Sequence, residues 1–306
     1  MAREAIKCMA SKILFVNHVQ RQCGVFQYGD RLFKNLICDS RYTSKYVNID
    51  DSAVFNIERE SFQPDIIVYN WYGSTMPWLT SELSSSIKEK QIFIYHEGAY
   101  PAHLTYDHII SVETDLVRPL LRYTKFNRNK NDIITIGSFG FGFENKGFEK
   151  ICSMVQDQFD RALIRLHITS AYFGDQYGDI SSRVIDRCRS LITKKGVQLE
   201  ITTDFITDQE LMDFLASNDI NLFLYDEMPG RGLSSVIDYV VSSEACFGVN
   251  SSSMFRHLQD QWINVNTDNM TLASIIDNEN APSLSLKEQW SIERSQDVFY
   301  DMVKGI

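Results

Sequence analysis

Short apolar runs alternate with stretches of helical period along almost the whole chain, the pattern imposed by parallel sheets with helical crossovers. Lys12 to Val19 reads as a buried first strand, and Val25 to Ile37 then sets Phe26, Leu32, Phe33 and Leu36 at near-helical spacing. Further strands are predicted at Tyr46 to Ile49, Asp65 to Asn70, Gln91 to His96 and His108 to Val112. After Arg118-Pro119 comes a polar, basic stretch, Arg122 to Asp132, with the composition of a linker. A second series follows, with strands at Ile133 to Phe139, Leu163 to Thr169, Val197 to Thr202, Asn221 to Tyr225, Cys246 to Asn250 and Trp262 to Val265. Helices are predicted between them at Gly147 to Phe159, Ile180 to Lys194, Asp208 to Ser217 and Ser234 to Ser242. Thr207-Asp208-Gln209-Glu210 fits a helix start, where a capping side chain and early acids satisfy the free N–H groups. Ser285 to Val303 reads as one long helix.

The architecture expected is α/β: two Rossmann-like doubly wound domains facing a central cleft. The expected boundaries are residues 1–121, a linker at 122–132, a second domain at 133–284, and a C-terminal helix, 285–306, that by analogy crosses back to the first domain.

Three places break from an apolar run into a glycine-bearing turn and then a helix: Gln22-Cys23-Gly24, Gly137 to Gly147, and Asp226 to Gly232 with a helical pattern from Ser234. The first N–H groups of a helix have no internal partner, so such corners favour phosphate or pyrophosphate. All three fall at strand carboxyl ends, where open α/β sheets bind ligands. They suggest a nucleotide-using protein, and transferases, epimerases and plain binding proteins fit alike.

Composition narrows this little. The 306 residues exceed one ordinary core, and the formal net charge of -10 argues against a nucleic-acid partner, which would want a basic stripe. Six cysteines, Cys8, Cys23, Cys38, Cys152, Cys188 and Cys246, form no C-x-x-C pair and read as free thiols in a reducing compartment. The histidines show no metal-ligand spacing, so no metal is expected. Ala5 to Ala10 is too short for a signal-peptide core, and no apolar run reaches the ~20 residues that span a bilayer. The expected location is cytoplasmic.

The second half carries a resemblance. Ile136-Gly137-Ser138-Phe139-Gly140-Phe141, followed by Asn145-Lys146-Gly147-Phe148, resembles the opening strand and loop of the donor domain in GT-B glycosyltransferases. Gly230-Arg231-Gly232-Leu233-Ser234-Ser235-Val236-Ile237-Asp238-Tyr239, with Cys246 to Ser253 behind it, resembles that family's donor-pocket helix and following strand. In the first half, Cys23-Gly24-Val25 with Tyr28-Gly29 and Leu32 resembles the acceptor-domain loop, and His96-Glu97-Gly98 resembles the segment bearing a His or acid at the cleft. The resemblance is to the group 1, or family 4-like, members. It implies a metal-independent transferase of hexosyltransferase type, moving a sugar from a nucleotide-diphosphate donor to a hydroxyl of a glycan or lipid-linked acceptor, as in polysaccharide biosynthesis. The nucleotide sugar is then a co-substrate and no cofactor is required. Retaining members commonly carry two glutamates across this turn; with Gly232-Leu233 aligned to their Gly-Leu, those positions hold Pro229 and Ile237. A catalytically weakened nucleotide-sugar-binding subunit, or a nucleotide-sugar epimerase, therefore stays open, as does membrane association.

The candidate site residues each admit a structural reading beside the functional one. Lys146 and Arg231 suit a diphosphate, or are a solvated lysine and a turn arginine. Gly137, Ser138 and Gly140 line the first donor turn; Gly232, Leu233, Ser234 and Ser235 open the second, where serine is also an ordinary cap. Glu227 and Asp238 can meet sugar or ribose hydroxyls, or lie as acids on a turn and a helix face. His96, with Glu97 as runner-up, is the candidate catalytic base at a strand end, though a lone His is often structural. Gly24 allows a ligand close to the backbone, or is a loop glycine. Trp71 and Tyr72, among many aromatics near strand ends, form a conceivable acceptor platform or simply core.

Overall fold

The computed structural model describes residues 11–21, 23–36, 39–98, 100–115, 118–124, 131–171 and 174–305. Gln22 of the first corner, the segment holding Ala5 to Ala10, Cys8, Cys38, and 125–130 of the expected linker lie outside them. Contacts divide the chain into two compact units: Met1–Pro119 with Ile292–Ile306, and Leu120–Ser291.

The first unit runs β1 (Ser11–Asn17), α1 (Gly24–Leu36), β2 (Tyr42–Asn48), α2 (Ser52–Phe62), β3 (Ile66–Trp71), α3 (Ser81–Ser86), β4 (Lys90–Tyr95) and β5 (His108–Ser111). Its five strands pair in parallel in the order β2-β1-β3-β4-β5. Side chains alternate between the faces, so Ile13 and Phe15 join Tyr28 and Leu32 of α1, while Leu14 and Val16 join Phe55 of α2. Helices cover both faces, which is why β3 is buried at every position. Asp51 starts α2 by accepting hydrogen bonds from the N–H groups of Ala53 and Val54.

The second unit runs β6 (Thr135–Phe141), α4 (Phe148–Gln158), β7 (Ala162–Thr169), α5 (Asp179–Leu191), β8 (Val197–Thr202), α6 (Asp208–Ala216), β9 (Ile220–Phe223), α7 (Val236–Ser242), β10 (Phe247–Val249), α8 (Trp262–Val265), α9 (Leu272–Asp277) and α10 (Ala281–Gln289). Its parallel sheet has the order β10-β9-β6-β7-β8. Phe223, Val240, Phe255 and Leu286 fill one face; Ile136, Ile151, Ile164, Val184 and Ile275 fill the other. The Thr207–Glu210 capping box forms at the start of α6. A last helix, α11 (Ile292–Lys304), belongs to the first unit: Phe299 and Val303 enter its core beside Leu32, and Gln296 donates to the Asn35 carbonyl at 2.7 Å.

Two expected elements differ. Trp262 to Val265 is a helical turn, not a strand; Trp262 and Val265, three apart, pack inward while Ile263 is 79% exposed, a helical rather than alternating pattern. The long helix expected over Ser285 to Val303 is two, α10 and α11, broken at Trp290-Ser291 where the chain passes from one unit to the other.

Candidate functional site

Each sheet has a point where strand order reverses, and there the loops leaving the carboxyl ends diverge and open a crevice. In the second unit this point lies between β6 and β9. The chain leaves β6 through a turn at Glu144–Lys146 and enters α4 at Gly147, whose φ is +70°. A Cβ there would lie 1.9 Å from the Leu224 carbonyl oxygen, so only glycine lets this turn press on the end of β9. The Asp226 N–H donates to the Asn145 carbonyl at 3.0 Å and ties the two loops together. Lys146, half-buried, holds its Nζ 4.0 Å from the centre of the Tyr225 ring, a cation–π contact. Lys150 pairs with Asp226 at 2.6 Å.

The segment after β10 knits the following turn in place. Asn250 Nδ2 donates to the Tyr225 carbonyl, Ser252 Oγ to the Asp226 carbonyl, and the Ser253 N–H to Glu227 Oε2 at 2.8 Å. Hydrogen bonding from Ser253, with the nearby Arg256 charge, holds the Glu227 carboxyl below its ordinary range. Arg256 Nη1 donates to the carbonyls of Arg231 and Ser253 at 3.3 and 2.8 Å, bringing a second guanidinium beside the exposed Arg231.

Several expected donor residues are placed otherwise. Gly137 lies inside β6, and its missing side chain makes room for Asn218, whose Nδ2 would be 2.0 Å from a Cβ. Ser138 is buried and donates to the Leu222 carbonyl at 2.6 Å. Both serve the sheet. Helix α7 starts at Val236, not at Ser234; the Ser234 N–H is taken by the Met254 carbonyl at 3.0 Å, and Ser235 makes no side-chain cap. Asp238 has 0% exposure, so its carboxylate offers no surface to a ribose. Gly140, at the end of β6, stays near the turn, its would-be Cβ 4.0 Å from the Tyr225 hydroxyl. Gly232 and Leu233 are half-buried between Arg231 and Ser234.

In the first unit the reversal lies between β1 and β3. Each of these strands ends in a fully buried asparagine region, and the two amides meet: Asn70 Nδ2 donates to Asn17 Oδ1 at 2.9 Å and to the Val25 carbonyl of α1 at 2.7 Å. Asn17 Nδ2 donates to the Phe26 carbonyl and to the Tyr46 hydroxyl, at 3.0 and 2.8 Å. His96, just past β4, meets Asn70 Oδ1 through Nε2 at 2.6 Å and sets its ring edge-to-face against Tyr28, 4.9 Å away. Burial, the Arg118 charge and the neighbouring His18 push the His96 pKa down to about 3, so the imidazole is neutral. His18 is fully buried and its pKa falls to about 4 by burial alone. Arg118, also buried, lies over the Tyr28 ring at 5.2 Å.

Glu97 follows His96 and is half-buried, with Gly98 turning the chain at φ +84°. Gly24 is the first residue of α1 with open space where a side chain would be. Trp71 does not form a platform: at 3% exposure it packs with Phe93 and Tyr95 in the core, whereas Tyr72, half-buried, lies against the Gly98 turn. Asn17, Asn70, His18, Arg118, Tyr225 and Arg256 were not among the expected site residues. A polar residue closing an apolar run was the available sign for Asn17 and Asn70. Among the described residues, no three His, Cys, Asp or Glu side chains gather in a way that could hold a metal, and no helix is long and apolar enough to cross a membrane.

No protein-family model matches this chain, and no curated protein matches it in sequence. Solved structures do match. HepE of Anabaena, solved with UDP and glucose, aligns with a TM-score of 0.66 at 11% identity, covering 97% of this chain and 100% of that one. The trehalose-6-phosphate synthase OtsA aligns at 0.65 and 10% identity, covering 97% and 99%. The lipopolysaccharide outer core galactosyltransferase WaaB, in its apo form, aligns at 0.54 and 9% identity, covering 96% and 99%. This chain has the fold of the GT-B glycosyltransferases, with two Rossmann-like units.

Proposed function

We propose that this chain, built on the GT-B fold, transfers a sugar from a nucleoside diphosphate donor to a hydroxyl of a glycan or lipid-linked acceptor without a metal ion. The observation that carries the reading is the Lys146 turn: a glycine-dependent loop at the reversal point of the second sheet, its ammonium held on Tyr225 beside Gly140. In the transfer, the acceptor oxygen bonds to the anomeric carbon while the electron pair of the broken bond moves onto the diphosphate, whose departing oxygen takes the acceptor's hydroxyl proton. Lys146, Arg231 and Arg256 offset that growing negative charge, and they do so without reorganising because their loops are already tied down. Glu227, ionised and held by Ser253, accepts from sugar or ribose hydroxyls. His96 is too weak a base to take a proton efficiently near neutral pH, so its role is to accept a hydrogen bond from a sugar hydroxyl.

A second reading, a nucleotide-sugar-binding subunit without turnover, is favoured by Pro229 and the fully buried Ile237 at the positions where retaining members carry glutamates. Incubation with a panel of mass-tagged nucleotide sugars separates the two. Transfer or hydrolysis supports the enzyme, tight binding without turnover supports the subunit, and conversion of the donor to its epimer with no acceptor overturns both. Absence of binding to any nucleoside diphosphate removes the donor assignment.

A further inference from the structure

The two asparagines at the reversal point of the first sheet leave one nitrogen of His96 no choice. Asn70 Nδ2 faces the Val25 carbonyl at 2.7 Å, and a backbone carbonyl only accepts, so the amide cannot be turned over. Asn17 is fixed the same way, since its Nδ2 faces the Phe26 carbonyl and its Oδ1 accepts from the His18 N–H at 2.9 Å. Asn70 therefore presents Oδ1 to His96, and the 2.6 Å contact requires the ring to donate through Nε2–H. A neutral imidazole that donates at Nε2 carries its lone pair at Nδ1. His96 is half-buried and spends Nε2 on Asn70, so Nδ1 is the nitrogen that can serve a ligand. Gly29 of α1 gives the amides their room: a Cβ there would lie 2.4 Å from Asn70 Nδ2 and 2.9 Å from Asn17 Nδ2.

We infer that Asn70, held by Asn17, is a positioning residue that fixes His96 in one tautomer and thereby makes Nδ1 an obligate acceptor for a ligand hydroxyl. The tautomer lock stands on the hydrogen bonds alone, whereas its use toward a sugar hydroxyl rests on the transferase reading above. A ligand carbonyl, which only accepts, would find no complementary atom at Nδ1, while a hydroxyl donates to it directly.

The test is proton–nitrogen correlation spectroscopy of the full chain labelled with 15N-histidine at about pH 7, where an unperturbed imidazole is largely neutral. The His96 resonances are identified by their loss in His96→Gln. The wild type is expected to show a bare Nδ1 and a protonated Nε2. Asn70→Leu removes the acceptor and should give a mixture of tautomers, whereas Asn70→Asp keeps an oxygen opposite Nε2 and should retain the single form. A merely structural asparagine would make both variants alike. Turnover in Asn70→Leu should drop about tenfold or more, with the KM for the nucleotide sugar unchanged. A protonated Nδ1 in the wild type, or an unaltered tautomer in Asn70→Leu, overturns the lock; the wild-type spectrum decides this even where the variants fail to fold. A lost tautomer with undiminished turnover overturns the use of Nδ1. An inactive wild type with the expected spectrum defeats the transferase reading and leaves the lock upheld.

Discussion

Replacing Gly29 with alanine sets two effects of opposite sign against each other. In the middle of an exposed helix, glycine to alanine stabilises by about 1 kcal/mol. Here Gly29 lies buried in α1, and the added methyl carbon would stand 2.4 Å from Asn70 Nδ2 and 2.6 Å from its Cγ. The amide must move away, giving up its bonds to Asn17 Oδ1 and the Val25 carbonyl and its contact with His96. Three buried hydrogen bonds at about 1 kcal/mol net each, with further cost for any donor left dry, outweigh the gain in propensity. The first unit should lose about 2–4 kcal/mol. Urea unfolding reads this most cleanly in a background with Trp262→Phe and Trp290→Phe, so that Trp71 and Trp78 report on the first unit. With a slope of about 2 kcal/mol per molar urea, the midpoint should fall by roughly 1–2 M. The double variant Gly29→Ala, Asn70→Ala should lose little beyond the single one, because the bonds of the Asn70 amide are already given up. A midpoint that stays level or rises in the single variant would refute the reasoning.

Three further outcomes are expected. His18 is buried neutral, its pKa lowered from 6.5 to about 4, so the unfolded chain takes up the proton first as pH falls. Its contribution is complete above about pH 6.5 and is lost on descending toward pH 4, a drop of about 3 kcal/mol that H18Q should flatten in stability curves measured across that window. Gly147→Ala forces a Cβ at φ +70° against the Leu224 carbonyl and should weaken nucleoside diphosphate binding at least tenfold, or destabilise the second unit by about 2–4 kcal/mol, by calorimetry and thermal melting. Lys146→Ala and Arg256→Ala should each weaken UDP or GDP binding by about 1–3 kcal/mol in titration calorimetry; unchanged affinity in both would dismiss the phosphate role.

The sheets were legible because a strand covered on both faces must be largely apolar, as β3 and β9 are apart from Asn70 and Asn221. Trp262 to Val265 shows the limit: four residues hold one helical turn or one short strand equally well, and only the packing of Val265 with exposure of Ile263 decides. The glycine turn at Gly147 was visible as a break in pattern, but Gly137, in the same motif, proved to be spaced for Asn218, a partner distant in sequence. Neighbours along the chain say little about which way a side chain faces, so Trp71 and Tyr72 looked equivalent and are not. The Asn17–Asn70 pair was hidden for the same reason. Each asparagine alone reads as a strand terminus, and their partnership exists only once β1 and β3 lie side by side.

The return of α11 bears on how the protein is made. Chain emerges from the ribosome in order, so the apolar side of α1 that packs against α11 stands uncovered by Phe299 and Val303 while residues 120–291 are synthesised. Completion of the first unit is thus postponed until the second has been threaded out, and a nascent chain stalled anywhere in between displays an oily surface suited to a chaperone.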